Sequence, residues 1–326
     1  MYAATFFVAA VFPGKVLLAT DGHRVELHGH RGARGLLPEN SLIGFREAIR
    51  LGVDCLELDV GQLRDGEVVI HHDRTLNPDV TRKNGSWIDF ATPLANLTKR
   101  DLESFDIGRL RPGTRYAARF AEQSPVDGAR IPLLRELLAM PQLGRQPEIC
   151  LNIEIKTSPE AHAETSPPED IAKALLEILD EYNYRSRSRV QSFDWRGLLY
   201  LRQVAPDLAL SFLTAERDWL DNLMRLEPGL SPWLAGIDLA KYQNSAPRAI
   251  KAAGGQTWAP YYHDLTPQEL AEAKSIGLKV IVWTVNDEAD MRNLLTMGVD
   301  GIITDYPDLG RQVIDSLHIL PDAGAN

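Results

Sequence analysis

The sequence predicts a single parallel α/β barrel of the TIM (β/α)8 type, and three observations carry that prediction. Segments patterned as strands alternate with segments patterned as helices, giving about eight strand candidates. The 326 residues contain no internal repeat and no low-complexity tract, and a barrel commonly takes this length as one domain. Charged and polar side chains gather at the carboxyl ends of the strand candidates, the face where such barrels build their sites. The expected division is a tail over 1–22, the barrel over 23–318 with an insertion at about 75–130, and a tail over 319–326.

With 44% hydrophobic and 25% charged residues, the chain can bury a large core. A net charge of −10 argues against a nucleic-acid surface but not against a small anionic substrate, because a few local Arg and Lys residues can reverse the field. Cys55 and Cys150 fall in candidate buried strands, where they are expected as small core hydrophobes rather than a disulfide scaffold. Tyr2 to Phe12 is apolar and Ala19 could precede a cleavage point, which resembles a truncated signal peptide. No Lys or Arg precedes that run, and Pro13-Gly14-Lys15 interrupts it. Export is the expectation and a cytoplasmic protein the alternative. The run is too short to span a membrane.

The first element is Arg24–Leu27, a short strand that delivers His28-Gly-His-Arg-Gly32. Glycine on each side of His30-Arg31 lets the chain turn and lets a ligand approach closely. Helical spacing of Leu42, Phe45, Ala48 and Ile49 follows, closed by Gly52. Asp54–Val60 is a compact strand whose alternation puts Cys55, Glu57 and Asp59 on one face and Leu56, Leu58 and Val60 on the other. Two carboxylates on one strand face need a cation or donors if they are buried.

Asp65-Gly66 signals a two-residue hairpin turn. That register pairs Arg64 with Glu67 and, by counting outward, Asp59 with His72. His72 is therefore expected beside Glu57 and Asp59, with His71 on the opposite face; a slip of one residue would exchange them. Residues 75–130 show little periodicity and are expected as a long loop beside the site. A helix from Pro132 to about Met140 follows, then a strand at Glu148–Lys156 with Cys150, Asn152, Glu154 and Lys156 sharing a face. Ser166–Tyr184 is the clearest amphipathic helix. Further strands are expected at Arg189–Phe193, Leu208–Leu213, Gly236–Leu239 or Gln256–Tyr261, Lys279–Val285 and Asp300–Thr304. Thr266-Pro-Gln-Glu269 opens one intervening helix with a capping box, and Asp287–Met297 forms another.

His30, Arg31, Glu57, Asp59, Glu154, Lys156 and hairpin His72 thus converge on one end of the barrel. Three carboxylates make a hard, oxygen-rich site suited to Mg²⁺ or Ca²⁺. Two histidines, a divalent cation, Arg31 and Lys156 match the needs of phosphodiester cleavage. The cations neutralise charge on the phosphoryl oxygens, one histidine takes a proton from the nucleophile, and the other protonates a leaving alkoxide. A barrel glycosidase built on Glu57 and Glu154 is the rival enzyme, but it leaves His30, Arg31 and Lys156 without a task.

His30-Arg-Gly32, Pro38-Glu-Asn40, Glu57-x-Asp59, Asp65-Gly66, His72-Asp73, Glu154-Ile-Lys156, Ser192-Phe193, Trp283-Thr-Val-Asn286 and Asp300–Asp305 occur in one order across residues 27–310. In that order they resemble the glycerophosphodiester phosphodiesterase family, with Ser41 standing where Thr is usual. The resemblance implies a phospholipase C-like phosphodiesterase barrel that hydrolyses glycerophosphodiesters to glycerol 3-phosphate and an alcohol. It implies His30 and His72 as the acid/base pair and Glu57, Asp59 and Glu154 as ligands of one divalent cation, Mg²⁺ or Ca²⁺, with Glu39 as a further acid near it. Arg31 and Lys156 become phosphate contacts, and Phe193 and Trp283 an aromatic wall for the substrate. The alternatives are a lysophospholipase D-like activity on the same barrel and a non-catalytic relative that binds metal or phosphate.

Overall fold

A computed structural model of the protein describes residues 25–318 apart from Pro228. The signal-like segment and the C-terminal tail expected from the sequence lie outside the described residues.

Eight parallel strands form a closed barrel: β1 (Glu26–Gly29), β2 (Cys55–Gln62), β3 (Cys150–Ile155), β4 (Ser188–Ser192), β5 (Ala209–Thr214), β6 (Thr257–Pro260), β7 (Lys279–Val282) and β8 (Gly301–Thr304). Closure comes from β1, which pairs with β8 on one side and β2 on the other. The outer helices are α1 (Leu42–Arg50), α2 (Pro168–Glu181), α3 (Trp195–Val204), α4 (Ala246–Ala252), α5 (Pro267–Ser275), α6 (Glu288–Met297) and α7 (Pro307–His318). Between β2 and β3 two short helices, Leu134–Leu138 and Pro141–Gly144, take the place of a full-length one.

Alternation along each strand divides the barrel. Outward Leu56, Leu58 and Val60 of β2 pack with Phe45 and Ala48 of α1 in the main core. Ser41 caps α1 by accepting from the Gly44 amide at 3.1 Å. Trp195, fully buried, meets Phe212 edge-on at 4.9 Å between α3 and β5.

Several expectations change. The first strand sits two residues later than its apolar pattern suggested, and the helix expected over 132–140 is shortened to Leu134–Leu138. Of the two candidates for the sixth strand, the later one forms; Leu239–Tyr242 is instead a short 3-10 turn. Cys55 and Cys150 are directly paired across β2 and β3 with Cα atoms 4.4 Å apart, and they are joined as a disulfide. Two inward positions in register on neighbouring strands present their Cβ atoms side by side, which sequence distance conceals.

The hairpin after β2 has a three-residue turn. Gly66 N donates to Leu63 O, Leu63 N donates to Glu67 O, and Gly66 has φ +86°. The register is therefore Val60 with Ile70 and Gly61 with Val69, one residue off the expected pairing, and it sets His71 N against Asp59 O at 3.0 Å. The hairpin strand ends at Ile70, so alternation no longer governs the histidines.

Residues 75–130 fold rather than loop. Arg82–Lys83, Ser86–Trp87 and Phe105–Asp106 make a three-stranded sheet over a second core of Leu63, Val69, Leu76, Leu94, Leu102 and Phe105. Val69 faces this small core while its neighbours Val68 and Ile70 face the barrel core, so the hairpin joins the two.

Candidate active site

The His-Gly-His-Arg-Gly stretch leaves the carboxyl end of β1 in a tight turn. A Cβ on Gly29 would run into the Gly32 carbonyl oxygen, and Gly32 itself sits at φ +86° with the backbone of Gly44 and Phe45 closing on it. Arg31 takes the left-handed φ of +50°, which aims its amide at Glu57 Oε2, 2.9 Å away.

Glu57, Asp59 and Glu154 are buried at 1%, 0% and 7% exposure, and one oxygen of each lies within 4.8 Å of the others. Parallel pairing of Asp59 with Glu154 brings β2 and β3 together at this point. Asn40 Nδ2 donates to Asp59 Oδ2 at 2.8 Å, and Gln191 Nε2 donates to Glu57 Oε1 at 2.9 Å. Lys156 Nζ reaches Glu154 at 2.7 Å and Asp59 Oδ1 at 3.6 Å. Burial and the neighbouring Asp59 and Glu154 charges hold Glu57 well above the usual carboxylate range. Burial also raises Glu154 to about 7, with Lys156 opposing and Asp59 reinforcing the shift. Against the effect of burial, Lys156, His72 and Arg31 draw Asp59 below its ordinary value.

That electrostatic frustration suits the trio to a cation. Two of three converging acids resist ionisation, and buried Asp59 Oδ1 has no hydrogen-bond donor. A hard divalent ion bound by Glu57, Asp59 and Glu154 would relieve both.

Two histidines reach the same pocket. His30 Nδ1 is 2.7 Å from Asp305 Oδ1, and His72 Nδ1 is 2.6 Å from Asp73 Oδ1, so each ring has one nitrogen taken by a carboxylate. His30 Nε2 lies 3.9 Å from Glu57 Oε2. Burial lowers His30 to about 4, helped by Arg34 and opposed by Asp305; burial, Arg31 and Lys156 push His72 well below its usual value. His71 turns away and bonds the Asp73 carbonyl oxygen. His72 thus reaches the site as expected, but through the turn after Ile70 rather than through the strand register.

Glu39 is placed differently from the expectation. Its carboxylate is taken by Arg31 Nη1 at 2.9 Å and by the Tyr116 hydroxyl, and it stands outside the acidic trio. Arg31 lies 3.4 Å from Asp59 through Nε. Phe193 and Trp283 meet edge-on at 5.2 Å, and Trp219 and Tyr261 extend them into one aromatic wall. The pocket holds about 830 Å³ and is lined by this wall together with His30, Arg31, Arg34, His72 and Lys156.

Sequence reasoning missed Asp305, Arg34, Tyr116 and Gln191. Asp305 was visible only as the end of a motif with no role. Its carboxylate also accepts from Arg34 Nε and Nη2, at 2.7 and 2.9 Å, and from Asn286 Nδ2 at 2.7 Å.

The glycerophosphoryl diester phosphodiesterase family model matches residues 30–309, a span that begins at His30 and closes beyond Asp305. The chain belongs to this family. A glycerophosphodiester phosphodiesterase of Caldanaerobacter subterraneus is 28% identical over 280 residues, covering 86% of this chain and 93% of the relative. A Bacillus subtilis glycerophosphodiester phosphodiesterase is 27% identical over 302 residues, covering 91% and 88%. A Silicibacter pomeroyi crystal structure of the glycerophosphoryl diester phosphodiesterase kind superposes with TM-score 0.79 at 35% identity, covering 91% of this chain and 95% of that one. An Oleispira antarctica phosphodiesterase, solved with its product sn-glycerol-3-phosphate, shares the fold at TM-score 0.65 and 21% identity, covering 89% and 96%. Membership in the phosphodiesterase family removes the barrel glycosidase.

Proposed function

We propose that the protein hydrolyses glycerophosphodiesters to glycerol 3-phosphate and an alcohol, with His30 and His72 as the acid/base pair. The observation that carries this reading is the arrangement of two carboxylate-held histidines around one acidic trio, beside Arg31 and Lys156. Each Nδ1 is engaged, so each Nε2 is the nitrogen available to exchange a proton at the phosphorus. One ring, unprotonated at Nε2, accepts the proton of the attacking oxygen, and the other, entering with protons on both nitrogens, delivers one from Nε2 to the departing alkoxide, a poor leaving group at neutral pH. Arg31 and Lys156 contact the phosphoryl oxygens. Glu57, Asp59 and Glu154 hold one Mg²⁺ or Ca²⁺, which when bound supplies further positive charge to those oxygens. Glu39 acts on the other side of Arg31, fixing the guanidinium. Phe193 and Trp283 wall the arm of the diester away from water.

The test is release of glycerol 3-phosphate from glycerophosphocholine in Mg²⁺ and in Ca²⁺. His30→Ala and His72→Ala should each lower kcat about 10²–10⁴-fold with the circular dichroism spectrum retained. Full activity in either variant, or in excess chelator, overturns the mechanism. A second reading, cleavage of lysophospholipids, is favoured by the 830 Å³ pocket and its four-ring wall, which exceed the needs of a small diester. Lysophospholipids in the same panel separate the two readings by kcat/KM.

A further inference from the structure

Below the acidic trio, inward positions that commonly carry branched apolar side chains instead carry Glu26 and His28 of β1, Asn152 of β3 and Gln191 of β4. His28, Asn152 and Gln191 are at most 1% exposed. Their hydrogen bonds form one unbroken line. His28 Nε2 is 3.0 Å from Glu26 Oε2, His28 Nδ1 is 3.3 Å from Asn152 Nδ2, Asn152 Nδ2 donates to Gln191 Oε1 at 2.9 Å, and Gln191 Nε2 donates to Glu57 Oε1 at 2.9 Å.

The directions are fixed by the two ends. Glu26, held by Arg189 and Lys279, and Glu57 can only accept when ionised. The residues between them must therefore present a donor at each end, which only one arrangement satisfies. His28 carries its proton on Nε2 and accepts at Nδ1. Asn152 uses both amide hydrogens, one toward His28 and one toward Gln191. Gln191 then has its carbonyl below and its amide aimed up at Glu57. Reversing either amide would face oxygen against oxygen. Buried Asn152 Oδ1 has no hydrogen-bond partner, so the amide's hydrogen bonds all lie on its nitrogen side.

Glu57 is thereby clamped from two sides, by Gln191 on Oε1 and by the Arg31 amide on Oε2. We infer that Gln191, Asn152 and His28 form a positioning relay that presets the Glu57 carboxylate for the divalent cation, resting on the proposed role of Glu57 as a ligand. Partners that orient a ligand commonly matter tenfold to a hundredfold in metal affinity. His28 touches none of the three acids, yet the relay gives it a hold on one of them.

Calorimetric titration of the full chain with Mg²⁺ and with Ca²⁺ tests this, alongside thermal melts and KM and kcat on glycerophosphocholine. Gln191→Leu should weaken cation binding about 10–100-fold. His28→Phe should weaken it about tenfold, and the double variant should be no weaker than Gln191→Leu alone, because a relay cut once gains nothing from a second cut. If Gln191→Leu shows no cooperative melt, Gln191→Met keeps the volume, removes the donor and is expected to show the same loss. Wild-type cation affinity in a folded Gln191 variant overturns the relay, as does additivity in the double variant. A variant that melts lower but binds the cation unchanged assigns these residues to packing and likewise overturns it. No cation binding by the unsubstituted protein overturns the ligand role of the trio itself, and the relay with it.

Discussion

Asp305 meets His30, Arg34 and Asn286 with a single carboxylate, although His30 lies 275 residues earlier in the chain. The bond to Nδ1 fixes the ring and its tautomer, and a carboxylate there stabilises the ring when it gains a proton. Asp305→Asn keeps the shape, loses that charge and leaves Arg34 without its anionic partner. Turnover of glycerophosphocholine should fall about 10²–10⁴-fold in kcat, with the far-ultraviolet spectrum unchanged; unchanged turnover would show that orientation of His30 is immaterial. The acids predict a pH dependence. Glu154 has its pKa raised to about 7, so in the metal-free protein its contribution to stability is full below the unfolded value of about 4.3 and is lost as pH rises through 7. A divalent cation needs the ionised form, so the sign reverses on binding. The rise in melting temperature caused by saturating Mg²⁺ or Ca²⁺ should be small at pH 5 and grow as pH rises through 7. A rise independent of pH would place the cation elsewhere.

At the scale of elements, the hairpin and the insertion mark where local pattern stops being informative. The Asp-Gly dipeptide correctly announces a turn, but a two-residue and a three-residue turn share that signal, and they differ by one residue in register. His72 was legible as a site residue, yet the route to its position depends on the chain leaving the strand after Ile70. The insertion concealed its fold because its strands are two residues long, too short for periodicity to register. It reaches the site through Tyr116, on the helix Arg115–Arg119, which bonds Glu39 and approaches Arg31 Nη1 at 3.3 Å, and through Arg119, which lines the pocket. Tyr116→Phe removes that hydroxyl while leaving the ring against Phe120. The expected result is a several-fold rise in KM, since a net hydrogen bond of about 0.5–1.5 kcal/mol is lost from the group that holds Arg31, with little change in melting temperature. An unchanged KM would separate Tyr116 from substrate binding.

For the whole molecule, stability and chemistry occupy different parts of the barrel. Apolar side chains face outward from the strands onto the helices, while the inward positions of β1 to β4 are largely polar. Trp195→Ala, in the outer layer, should therefore destabilise by about 3–5 kcal/mol in denaturant melts, through lost burial and an unfilled cavity, while kcat at a permissive temperature stays near wild type. A matching loss of kcat would mean that the two layers are coupled.

The sequence by itself determined the alternating architecture, the faces of β2 and β3 that carry Glu57, Asp59 and Glu154, and the order of motifs that marks the family. These rest on periods of 2 and 3.6 residues and on short motifs, both of which are local. Tertiary structure decided the rest: that Cys55 meets Cys150, that Glu39 serves Arg31, that Asp305 holds His30, and that Gln191 reaches Glu57. Each of these depends on the register of neighbouring strands, on barrel closure or on a folded insertion. Register is set by packing over the whole barrel, where a shift of one residue exchanges the faces of a strand, and no local period contains that information.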